Sequence, residues 1–191
     1  IDGGAVNWHD GANKGSIKTS SFTNNSAENK GGAVYWKGHE GSIEDSNFTK
    51  NTALKGGAVY WTGIDANIKN SRFVLNNASE GGAVFLENCT HGDKIHMVIS
   101  DSYFEKNSAK NDGGAINWND GKDMTVQTTQ FVNNTAKRGG AIFINALGDY
   151  LITESDFTYN EAILGGAAYL NVENNATIDY STFDYNKAVQ G

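Results

Sequence analysis

The chain has 191 residues and a net charge of −7, and its only arginines are Arg72 and Arg138. Phosphate binding needs clustered Lys and Arg, so the composition excludes a nucleic-acid partner as an expectation. With 38% hydrophobic residues, 23 Gly, no Pro and a single Cys, it leaves a thin core, turns made from Gly, Asn and Asp, and no intrachain disulfide.

In chain order, the first recognisable element is Asp2-Gly3-Gly4-Ala5, followed by a short apolar run that ends at Trp8. From Phe22 onward one phrase recurs: Phe-x-x-Asn-x-Ala, then Gly-Gly-Ala. It is anchored at Phe22, Phe48, Phe73, Phe104, Phe131, Phe157 and Phe183, in steps of 26, 25, 31, 27, 26 and 26 residues. Every copy has Asn three residues after Phe: Asn25, Asn51, Asn76, Asn107, Asn134, Asn160 and Asn186. A fixed period of this size means stacked units. Residues 1–191 therefore read as one elongated segment rather than a ball. Because both ends fall inside the phrase, the segment is expected to be an excerpt of a longer array.

Alignment on Phe gives columns. Five residues earlier stand Ile17, Ile43, Ile68, Ile99, Val126, Ile152 and Ile178; two residues earlier stand Ser20, Ser46, Ser71, Ser102, Thr129, Ser155 and Ser181. β-Branched residues favour strand. Ile and Phe at an odd spacing cannot both face inward on one straight strand, so a bend or bulge is expected near Asp45, Asn70 and Asp101. After each Gly pair comes a second short strand, such as Ala33-Val34-Tyr35-Trp36 or Ala141-Ile142-Phe143-Ile144. No stretch carries a sustained helical period, and no apolar run is long enough to span a bilayer, so no direct membrane insertion is expected of this segment.

Short strands at a fixed period without hairpin signals predict an all-β, right-handed parallel β-helix of about seven coils with about 26 residues per coil. Like residues then lie above one another at roughly 4.8 Å. The Asn column becomes an amide ladder, the Phe column an inner stack and the Ser column a hydroxyl row.

Repeated Gly-Gly-Ala-Ile/Val together with Phe-x-x-Asn resembles the paired motifs of the chlamydial polymorphic membrane proteins. The Asn-rich, Pro-free background (Asn24-Asn25, Asn133-Asn134, Asn174-Asn175) is similar to the adhesin-like surface proteins of methanogenic archaea. The resemblance covers the whole chain. It implies a β-helical, extracellular, cell-surface adhesin whose partner is a cell-surface protein or a glycan.

In the second strand, the column Trp8, Trp36, Trp61, Leu86, Trp118, Ile144, Leu170 is never polar and is placed inside. Alternation sends its neighbours Asn7, Tyr35, Tyr60, Phe85, Asn117, Phe143 and Tyr169 outside. Tyr35, Tyr60, Phe85, Phe143 and Tyr169 are thus expected to form an exposed aromatic binding ladder, against the plainer reading of cross-strand pairs that stiffen the sheet. An insertion of about five residues follows Leu86 and predicts a projecting loop with Asn88, Cys89, His91 and Asp93. Cys89, His91, Asp93 and His96 match no strong metal-site spacing, so no metal or cofactor is expected. Of the Asn-x-Ser/Thr acceptors at Asn24, Asn47, Asn88, Asn133 and Asn175, Asn88 is the best glycan candidate. Asp10, Asp65, Asp93, Asp120, Asp123 and Asp149 follow the second strands and read as turn formers. With no paired carboxylates at one cleft, no catalytic residue is expected. The competing readings are a structural protein that self-associates end to end through open coils, and a polysaccharide-active enzyme.

Overall fold

The computed structural model describes residues 1–9, 13–87 and 96–190. Asp10, Asn88, Cys89, His91 and Asp93, and with them the projecting loop and its glycan acceptor, lie outside the described residues.

Among the described residues every regular element is a strand, and the chain is a parallel β-solenoid with three seven-stranded sheets. One full coil shows the plan. Val34–Trp36 belongs to the first sheet, Ser42–Glu44 to the second and Asn47–Thr49 to the third. Each pairs in parallel with its equivalent in the next coil: Trp36 with Trp61, Ile43 with Ile68, Phe48 with Phe73. The insertion is confined to the join between two sheets. Val84–Glu87 before it and Met97–Ser100 after it keep full register with their neighbours.

The bend between Ile and Phe is a single left-handed residue. Asp45, Asn70 and Asp101 have φ of 51°, 45° and 51°, and Thr19, Thr128, Glu154 and Tyr180 repeat it. A second left-handed residue, two after Phe, turns the chain again; Lys50 and Lys106 occupy it at 56° and 52°. Such a conformation costs an L-residue about 1 kcal/mol. The cost is offset because the same backbone N–H still reaches the next coil, as in Lys50 N–H to Val74 O at 3.0 Å.

The Gly pair has two separate causes. Gly113, the first of its pair, sits at φ 63°, where a side chain is strained. Gly114, the second, has ordinary φ, but a Cβ there would stand 2.0 Å from the Gly140 carbonyl oxygen in the next coil.

Packing follows the columns. Trp36, Trp61 and Trp118 are buried in the main core with the Ile and Phe columns. Phe22, Phe48, Phe73, Phe104, Phe131, Phe157 and Phe183 stack face to face, with ring centroids 4.6–5.1 Å apart. From Ser46 to Ser181, each hydroxyl of the row donates to the carbonyl two residues back and accepts a backbone N–H from the preceding coil. Ser46 Oγ bonds Glu44 O at 2.7 Å and receives Ser20 N–H at 3.1 Å.

The seven asparagines form one continuous chain of side-chain amides at the corner after the third sheet. Asn107 is typical. Its Oδ1 accepts both the backbone N–H and the side-chain N–H of Asn76, each at 3.0 Å. Its Nδ2 donates to Asn134 Oδ1 at 3.1 Å and to Phe73 O at 2.9 Å. Both lone pairs and both amide hydrogens are used, as a fully buried amide requires.

Asn107→Ala strands buried groups on Asn76 and Asn134, and is expected to cost about 3 kcal/mol or more. Asn25→Ala, at the half-buried start of the row, is expected to cost less than half as much. Urea unfolding of the two variants checks this; equal losses would remove the amide row from its structural role.

Candidate functional site

The residues that sequence patterning marks for binding lie on the outer side of the first sheet. There the structure corrects the expectation of an exposed ladder. Tyr35, Tyr60, Phe85 and Phe143 do point away from the main core, the first three stacked on one another and Phe143 on Tyr169, but all four are buried; only Tyr169 is half-exposed.

The cover comes from two flanking columns. One is the residue before each Gly pair: Lys30, Lys55, Glu80, Asp112, Arg138 and Leu164, aligned coil on coil. The other is the residue after the Trp position, which includes Glu87, Asn119, Asn145 and Asn171. Lys30 Nζ lies 4.3 Å from the centre of the Tyr60 ring, Lys55 Nζ 4.6 Å from that of Phe85, and the Arg138 guanidinium 4.7 Å from that of Phe143. Long cationic side chains cover rings with their stems and add cation–π attraction. The sequence held a signal for this: a charged residue five positions before nearly every ring.

Over the first three rings the two columns meet. Lys55 Nζ donates to Glu87 Oε1 at 2.9 Å, Lys30 Nζ donates to Tyr60 OH at 2.7 Å, and Tyr60 OH donates a short hydrogen bond to Glu87. Burial pushes the Glu87 carboxyl up, but hydrogen bonds from Tyr60 and Lys55 and the charges of Lys55 and Lys30 outweigh it, leaving the carboxyl below its usual range. Burial pushes Lys55 down; Glu87 and Glu80 more than reverse this. Tyr60 is pushed well above its usual value by burial and then by Glu87.

Farther along, the columns separate. Arg138 makes a bidentate pair with Asp112, both contacts at 2.7 Å, within its own column. Asn145 donates to Asn119 at 3.2 Å and Asn171 to Asn145 at 2.6 Å, within theirs. A cleft of about 320 Å³ opens between them, with Asn117 and Phe143 in its lining.

The other candidates have structural employment. The ladder asparagines are spent on one another, fully buried from Asn51 through Asn160. The turn aspartates Asp65, Asp123 and Asp149 each accept a backbone N–H from the next coil, at 3.1, 2.8 and 3.2 Å, from His96, Asp149 and Asn175. His96 faces Thr125 Oγ1 at 3.2 Å across the second sheet. Exposed rings that patterning did not single out lie at the left-handed corner two residues after Phe, where Tyr159 and Tyr185 stack at 4.9 Å.

Glu87 gives a pH signature. A depressed carboxyl contributes stability above its unfolded pKa of roughly 4.3 and loses it as pH falls through the folded value. Glu87→Gln should therefore cost about 2 kcal/mol at pH 7. The gap from the parent protein should close as the pH drops below about 4. Urea unfolding across pH measures it; a gap that is constant with pH would contradict the assignment. At the alkaline end, the raised Lys55 and Tyr60 predict stability that declines above about pH 10.

Three stretches, residues 19–35, 101–117 and 128–145, match the Chlamydia polymorphic membrane protein repeat. Each stretch begins at or beside the left-handed bend before Phe and ends in the first sheet, so it contains one ring of the stack, one ladder Asn and one Gly pair. No curated protein and no solved structure matches the chain. The likeness to archaeal adhesin-like proteins rests on the sequence background alone.

Proposed function

We propose that this solenoid, built on repeats of the polymorphic membrane protein type, is the rigid stalk of an extracellular, cell-surface adhesin. The observation that carries the reading is the division of labour within each coil. The residues that define the repeat are consumed by stacking: Phe in the ring column, Asn in the amide row, Gly at corners where a side chain has no room. The repeat is thus scaffold, and recognition falls to what varies from coil to coil. That leaves the insertion at residues 88–95 and the outer columns of the first sheet.

Stiffness suits this role. Three sheets share one set of coil-to-coil contacts, and each unit is held only by its neighbours. A column of this kind holds its outward features at fixed spacing, so that several weak contacts act together. The partner class is a cell-surface protein or glycan. The proposal assigns no catalysis; Asp65, Asp123 and Asp149 support that, since each spends an oxygen on backbone capping.

The test is attachment of the purified chain, displayed on beads, to a panel of cells. A variant replaces residues 88–95 with the Gly63-Ile64 pair that joins the same two sheets one coil earlier. The parent should bind and the variant should lose at least tenfold, with an unchanged unfolding midpoint. Beads that attach to no cell type would sink the adhesin reading. Equal attachment by parent and variant would remove the loop from it.

A further inference from the structure

The row of outer rings has one missing rung. Stacked contacts run Tyr35–Tyr60–Phe85 and then Phe143–Tyr169, at 5.4–5.6 Å, and the position between Phe85 and Phe143 is held by Asn117. Two strand spacings separate the flanking rings, roughly 10 Å. Asn117 is shorter than a ring and leaves its rung incomplete, while Phe85 and Phe143 on either side stay buried.

The gap coincides with the place where the two covering columns part, and the cleft of about 320 Å³ sits over it. Asn117 lines this cleft and is 2% exposed. Its Nδ2 has only a long contact to Asp112 O, at 3.4 Å, and its Oδ1 has no hydrogen-bond partner among the described residues. A buried amide oxygen without a donor is rare and costs about 1–3 kcal/mol, so the position invites an explanation. The polar rim around it includes the primary amides of Asn119 and Asn145 and the Asp112–Arg138 pair.

We propose that this cleft binds a single pyranose ring of a glycan. A hydroxyl at the inner edge would donate to Asn117 Oδ1, beside Phe143, the one ring in the lining. The remaining hydroxyls would meet the amides of Asn119 and Asn145, which both donate and accept. A pyranose carries hydroxyls all round its edge, and the cleft answers them with polar groups: Asn117, Asn119, Asn145 and the Asp112–Arg138 pair, together with Lys55 and Glu80. An aromatic side chain from a protein partner has at most one polar group on its edge, and would leave most of the rim unanswered. The volume lies at the small end of ligand pockets and suits one ring. The inference supplies a ligand class within the adhesin reading, but it rests on the geometry of the cleft.

The test is a neutral-glycan array, followed by titration of the retained monosaccharide into the purified chain by NMR. Asn117→Phe restores the missing rung with a residue type the column already uses. The parent should bind at least one pyranose in the millimolar range. Asn117→Phe should lose tenfold or more, with an unfolding midpoint equal to or above the parent's. Asn119→Ala combined with Asn145→Ala, on the solvent side of the cleft, should lose several-fold, and serves alone if Asn117→Phe does not fold. Retention of no sugar by the folded parent overturns the proposal. So does undiminished binding by the variants, or a preference for the amides of tyrosine or tryptophan over every sugar. Cell attachment without sugar binding overturns this inference and leaves the stalk reading standing; sugar binding without attachment does the reverse.

Discussion

Everything in this chain depends on a row of seven asparagine side chains that satisfy one another. A primary amide has two donors and two acceptors, and burying one unpaired is costly. Here Asn107 meets all four demands using only Asn76, Asn134 and the Phe73 carbonyl. The solution exists only if the next coil offers an identical amide at the same height. A coil one residue out of register would bury an amide with nothing to bond. The row therefore fixes registry, and registry in turn aligns the rings, the hydroxyls and the glycines.

The rest of the coil serves that alignment. Left-handed residues such as Asp45 and Lys50 break the strand into straight pieces, so that Ile43 and Phe48 both face the core. Gly114 lets the backbone of one coil lie against that of the next. The insertion does not disturb this order, because it enters where one sheet hands over to another and spares the paired strands on either side.

The architecture was legible in the residues because a solenoid writes each contact several times. Seven Asn in one column, and Ile and Phe at an odd spacing, were enough to give the parallel coils and the bend between them. The outer face was not legible in the same way. A column that tolerates Asn looks exposed, yet Asn117 is as buried as its aromatic neighbours. What hides them is a column whose chemistry changes sign from Lys55 to Glu80 to Arg138, so that no single residue type announces it. Cover by long side chains is a property of reach, and reach does not show as a repeated letter. The cleft at Asn117 needed the structure for the same reason, since it exists only where the cover parts.

The asparagine row also has a sense. From Asn25 through Asn160, one amide N–H of each side chain points at the Oδ1 of the following coil, and the backbone N–H beside it does the same, while from Asn51 onward the other amide N–H turns back to a Phe carbonyl. The small dipoles of these groups therefore add head to tail, as they do in an α-helix. The body has an electrical north and south, and an inverted winding would set oxygen against oxygen. Any unit laid onto this column has to arrive the same way up.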